Sequence, residues 1–143
     1  PAGGCLLTDK NFARRMKDTF KHGYRNFRET IALKWGRHFR LNENFKVILG
    51  RDAEENQALK AYAHPDDTIM EIPDKIGPTL ILKGYNPSEE ILALCAGLIQ
   101  KYSKHKENLN PISVEYCLAK EIHNKKIILA KILSEKYLQE VSV

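Results

Sequence analysis

The sequence predicts an α+β domain: a short N-terminal helical arm, then a mixed sheet of about four to six strands packed by two helices. Three observations predict it. Apolar residues recur at helical spacing near the start and again after Asn86, they alternate with a period of two after Trp35, and Gly, Pro and Asn turns divide the remaining apolar runs. At 143 residues with 43% hydrophobic and 29% charged residues, the chain can bury roughly 68–70% of its unfolded surface without staples.

In the first segment Thr8 or Asp9 can cap a helix in which Phe12, Met16 and Phe20 recur every four residues as a buried stripe. Lys10, Arg14, Lys17 and Lys21 fall at i, i+4, i+7 and i+11, which stacks four cations in one row on another face. Gly23 ends this helix, and a shorter one is expected from Asn26 to Leu33, with Phe27 and Ile31 inside. From Trp35 the period becomes two: Trp35, Arg37, Phe39 and Leu41 share one strand face, with His38 and Arg40 on the other. Asn42 to Asn44 turn the chain into the strand Phe45–Gly50. Asp52 opens a helix with Glu55 three residues on, a carboxylate form of the capping box. Leu59, Tyr62 and Ala63 face inward, and Pro65 stops the helix.

Thr68–Ile72 and Thr79–Lys83 are strands separated by the Gly77-Pro78 turn. Asn86-Pro87-Ser88 opens the most strongly patterned helix, whose stripe is Ile91, Leu94, Cys95, Leu98, Ile99 and Tyr102. It runs into the basic stretch Lys101–Lys106, where cations suit the negative end of the helix dipole. Ile112–Tyr116 and Ile127–Ala130 read as strands, and Lys131–Val143 fits strand or helix. The expected division is a helical arm over 1–35, carrying the cysteine loop, and an α+β domain over 36–143.

Several function classes are excluded by pattern. No run of about 18 apolar residues exists to span a membrane, and no secretory signal opens the chain. The start at Pro1, without an initiator Met, is expected of a fragment of a longer protein or of a processed N-terminus. Three cysteines, Cys5, Cys95 and Cys117, form no CxxC pair, which places the protein in a reducing, cytoplasmic compartment. Phosphate-loop, dinucleotide, zinc-protease and serine-hydrolase motifs are absent, as is any metal-spaced Cys/His set. The five histidines read as scattered surface residues.

Charge points instead to a polyanion. The net charge of +5 is uneven: residues 1–40 hold ten Lys/Arg against three Asp/Glu, residues 41–100 five against ten, and residues 101–143 eight against five. A basic N-terminal face fits nucleic acid, with a solvated face as the alternative. Arg37, His38, Arg40 and Arg51 lie close together in sequence and form a candidate phosphate-contact cluster. Tyr24, Phe39 and Tyr85 could stack on bases or fill core and turn positions. Asn56, on the inner face of its helix, reads as a satisfied amide pinning the adjacent loop. Cys5 sits after Gly3 and Gly4, just before a helix N-terminus and near Lys10 and Arg14, where a thiolate is favoured. A small residue filling a tight turn is the other reading.

These residues resemble known families. PAGGCLLTDKNFARRM (Pro1–Met16) resembles the segment around the second catalytic cysteine of bacterial tRNA 2-thiouridylases. It is still more similar to the corresponding segment of a thiamine-biosynthesis-like group of PP-loop thiouridine synthases. LKWGRHFRL (Leu33–Leu41) resembles the text that follows in that group. Val47–Leu59, Gly77–Gly84 and the helix ending in Lys101–Lys106 resemble the NFACT-type RNA-binding domain, a C-terminal appendage of such synthases.

The resemblance implies the C-terminal, tRNA-binding part of a PP-loop sulfur transferase. In that family ATP adenylates a uridine carbonyl oxygen and a cysteine persulfide delivers sulfur, with Cys5 matching the sulfur-handling cysteine. ATP and Mg are then expected only in a domain upstream of Pro1, with no cofactor or metal in this chain. The implied partners are tRNA and a sulfur-donor protein, without membrane or DNA. A chain lacking the ATP site is not expected to be active alone. The alternative is a non-catalytic RNA- or protein-interaction module that recruits a sulfur donor or ribosomal RNA.

Overall fold

The computed structural model describes residues 10–22 and 32–143, so the Cys5 loop, the predicted Thr8/Asp9 cap, Gly23, Tyr24 and most of the predicted second helix lie outside the described residues. The elements are α1 (Lys10–Lys21), β1 (Arg37–Arg40), β2 (Lys46–Leu49), α2 (Ala53–Tyr62), β3 (Thr68–Glu71), β4 (Leu80–Lys83), α3 (Glu89–Lys101), β5 (Ser113–Leu118), β6 (Lys126–Leu129) and α4 (Glu135–Val141). A 3-10 turn at Ala119–Glu121 joins β5 to β6. The class is α+β, and the six strands form one sheet in the order β1-β2-β4-β3-β5-β6. Every neighbouring pair is antiparallel.

Both faces of the central strands are covered, which is why VIL and LIL read as unbroken apolar runs. Val47, Leu49, Leu80, Leu82, Met70 and Val114 meet α3 and α4 on one face. Ile48 and Ile81 point the other way, under Leu59 and Tyr62 of α2 and beside Trp35. Trp35 is therefore not on the Phe39 face, as the period of two predicts. Gly36 turns the chain before β1 at φ +66°, and a Cβ there would meet the Leu49 carbonyl.

The helix caps follow the sequence. Asp52 accepts from the Glu55 amide at 2.8 Å, and Ser88 accepts from the Ile91 amide at 3.2 Å. Within α3 the most buried side chains include Leu92 and Ala96 besides Cys95, Leu98 and Ile99, while Ile91 and Leu94 are half-buried and Tyr102 is exposed. The predicted stripe is rotated because α3 is covered from two sides. The segment after β6 crosses it at Gly97, where a Cβ would collide with the Lys131 carbonyl oxygen. The ambiguous tail is a helix with a strand-like end: Ser134 caps α4, Ser142 bridges Phe39, and the Val143 amide donates to the His38 carbonyl.

Candidate nucleic-acid interface

Helix α1 sits on the sheet by one face and presents the other. Phe12 is buried, Arg15 donates to the Leu33 carbonyl at 2.8 Å, and Asp18 receives Arg40 through Nε at 3.2 Å and Nη2 at 2.9 Å. Lys46 Nζ lies 3.3 Å from Thr19 Oγ1 and 3.9 Å from Asp18. The opposite face carries Lys10, Arg14, Lys17 and Lys21, all four exposed. Arg14 donates to Asn11, and no member of the row forms an ion pair among the described residues. Helical spacing thus yields the predicted cationic line, roughly 16 Å long at 1.5 Å per residue.

Beneath α1, strand pairing assembles a second row. Arg40 is the register partner of Lys46, and Lys46 is the partner of Lys83 on the next strand. Like charges directly opposite each other in a sheet repel, so each is countered from outside the row. Asp18 faces Arg40 and Lys46, and Asp67 takes Lys83 at 2.7 Å. Burial disfavours the Lys83 ammonium, but Asp67 and the Tyr62 hydroxyl outweigh it and hold its pKa above the usual value, and the ammonium also lies 4.3 Å over the Tyr62 ring. A cavity of about 280 Å³ opens between this row and the end of α1.

The other ends of the same strands carry a different group. The Arg37 guanidinium lies 4.7 Å over the Tyr102 ring, and Tyr102 packs against Phe39. Arg51 is clamped by Glu55 at 2.9 and 2.6 Å. Glu55 also accepts from the Arg51 and Gly36 amides, and these bonds, the Arg51 guanidinium foremost, hold its pKa at about 2. Glu55 does not reach back to Asp52, so only half of the predicted capping box forms. Lys75 pairs with Glu115 at 2.7 Å and Lys104 with Asp74 at 3.4 Å. Asn56 does what its position predicts: its amide accepts from the Thr79 N–H and donates to the Gly77 carbonyl, pinning the loop before β4.

The predicted Arg37–His38–Arg40–Arg51 cluster is thereby divided. Arg37 and Arg51 meet at one strand end and Arg40 stands at the other. His38 is 2% exposed, with Nε2 against the Trp35 carbonyl. Burial, with Lys46 and Arg15 nearby, pushes its pKa well below the usual range, so it is a neutral core histidine and not the surface residue expected. Of the predicted stacking aromatics Phe39 is buried, while Tyr85 is 90% exposed on the turn after β4. Cys95 and Cys117 are buried free thiols whose pKa values burial raises. Sequence reasoning missed Lys46, Lys83 and Tyr102; the two lysines, each flanking an apolar strand run, were the available signal.

No helix of the described residues is long and apolar enough to cross a membrane. Residues 36–140 match the family profile described as NFACT protein RNA binding domain. Among solved structures, the C-terminal part of the fibronectin/fibrinogen-binding protein from Streptococcus suis superposes with a TM-score of 0.66 at 15% identity. That match covers 96% of this chain and 64% of the other, and at this identity it shows a shared fold. No curated protein sequence matches the chain.

Proposed function

Because the chain belongs to the NFACT protein RNA-binding family, we propose that it binds the phosphate backbone of tRNA along the outer face of α1. The observation that carries this reading is the line Lys10, Arg14, Lys17 and Lys21, exposed and without ion pairs among the described residues while the helix is docked by its other face. Each phosphate neutralised releases counterion, so about four neutralised phosphates give a slope of log K against log salt near −3 to −4. Changing Arg14 and Lys17 together to Gln should weaken tRNA binding and flatten that slope by roughly one unit for each phosphate left without its cation, while stability is unchanged. Filter binding or anisotropy across a salt series reads it. Equal affinity with an unchanged slope would return the row to a solvated face.

The finer reading is that this is the tRNA-binding portion of an ATP-dependent thiouridine-forming sulfur transferase, with Cys5 handling sulfur. Its support is the resemblance of Pro1–Met16 and Leu33–Leu41 to PP-loop synthases; ATP and Mg would belong to an upstream domain, and a sulfur-donor protein would be the second partner. Cys5→Ser in the full-length protein should then abolish thiolated nucleoside while tRNA affinity stays within about twofold. Mass spectrometry of tRNA nucleosides checks this, and normal thiolation would remove Cys5 from the chemistry. One observation favours the alternative, a non-catalytic RNA- or protein-recruiting module. Both described thiols, Cys95 and Cys117, are buried, so neither is placed to serve as a second reactive cysteine.

A further inference from the structure

We infer that the cavity between α1 and the Arg40–Lys46–Lys83 row is a pocket for the phosphomonoester at the end of an RNA strand, and that Asp18 holds the phosphate's place until RNA arrives. The inference rests on the RNA-binding reading above. It starts from a cost. Three cations stand in one cross-strand register, Arg40 opposite Lys46 and Lys46 opposite Lys83, an arrangement that destabilises a sheet unless an anion sits among them. Side-chain exposures of 17%, 11% and 23% show that water does little of the screening.

Glu43 lines the cavity from the turn between β1 and β2, and the two anions that pair with the row are not equivalent. Asp67 belongs to the turn before β3 and is fixed there, accepting from the His64 amide at 2.9 Å as well as from Lys83. Asp18 is delivered by α1, which precedes the 36–140 family match, and it takes the forked guanidinium of Arg40 as a phosphate would. With Asp18 in place the three cations are balanced by three carboxylates among the described residues, Asp18, Asp67 and Glu43 at the cavity wall. With Asp18 withdrawn a net positive charge is left, and a phosphomonoester of about −1.5 to −2 at pH 7 is drawn to it more strongly than a phosphodiester of −1.

The surroundings suit a nucleotide end. The cavity of about 280 Å³ has room for one sugar–phosphate unit, and Thr19, His22 and Asn44 line it with groups able to bond ribose hydroxyls. Gly84 follows Lys83 at the cavity wall, and the next residue, Tyr85, stands 90% exposed where the adjoining base can stack.

The test compares short single-stranded RNAs carrying a 5′- or a 3′-phosphate with hydroxyl-ended RNAs of equal net charge, by fluorescence anisotropy with the full chain. A phosphorylated end should bind about tenfold more tightly than the hydroxyl-ended control, the return expected of a charge-assisted, forked phosphate contact. Millimolar inorganic phosphate should erase that preference. Lys46→Gln should bring the ratio of the two affinities to about one. Asp18→Asn, which leaves the cation row intact and removes its competitor, should raise the ratio about threefold. Equal binding of phosphorylated and hydroxyl-ended RNA overturns the pocket while leaving RNA binding standing. Saturation by inorganic phosphate with no preference for a phosphorylated RNA end would assign the row to a free small anion and equally overturn it. Failure of every RNA to bind overturns both this inference and the reading beneath it.

Discussion

The two ends of strands β1, β2 and β4 both gather cations, yet their counter-charges come from different places. At the Arg37 end, Glu55 stands one helical turn from Arg51 and satisfies that side chain together with two backbone amides. At the Arg40 end, Asp18 comes from 22 residues upstream, on a helix that the sheet itself does not include. A pair closed within one turn costs little chain entropy to order and ties the local backbone down. A pair supplied by a separate helix can be exchanged for another anion while the sheet stays folded. The first arrangement is structural, and the second is the one through which a ligand can act.

The largest effect expected from this contrast is at Glu55. Its folded pKa of about 2 lies below the usual 4.5, so it stabilises the fold above pH 4.5 and loses that contribution as pH falls toward 2. Arg51 is half-exposed, so solvent screens the clamp and only part of that gap appears as stability. Glu55→Gln should therefore make the domain roughly 1–2 kcal/mol less stable at pH 7 and flatten its stability profile between pH 4.5 and 2. Urea denaturation at pH 7 and pH 3 measures both. A variant with the wild-type midpoint at pH 7 would mean that the clamp holds nothing, and the two strand ends would no longer differ in kind.

Much of the fold was legible because its signals are local. The caps Asp52 and Ser88 and the apolar run within Phe45–Gly50 need only a few neighbouring residues, and Asn56 betrayed itself as a polar side chain on an inner face. The split of the arginine cluster was legible too: Arg37 and Arg40 are three apart, and an odd separation in a strand puts them on opposite faces. The cation row was not. β4 inserts between β2 and β3 in the sheet, so Lys46 and Lys83 become neighbours across 37 positions of sequence, and nothing local announces that pairing. Trp35 was misplaced for a related reason, since the alternation presumes an unbroken strand and Gly36 interrupts it at positive φ.

The smallest expected effect separates two arginines that share one strand end. Arg37 makes no ion pair among the described residues; its charge rests on the face of Tyr102, a contact of about 0.5–1 kcal/mol at an exposed site. Arg51 has the Nε–Nη2 edge of its guanidinium engaged by Glu55. If RNA extends from α1 to this end, Arg37 is the cation free to take a phosphate, because doing so breaks no salt bridge. Arg37→Gln should then weaken tRNA binding about two- to threefold and flatten the salt slope by about one unit, with the melting temperature nearly unchanged. Arg51→Gln should do the reverse, lowering stability while changing affinity less than Arg37→Gln does. Parallel salt titrations and thermal melts of the two variants distinguish them. A larger affinity loss from Arg51→Gln, in a variant that still melts as the wild type does, would show that the Glu55 clamp opens to RNA. The Arg37 end would then be an interface in its own right, equal to the one beneath α1.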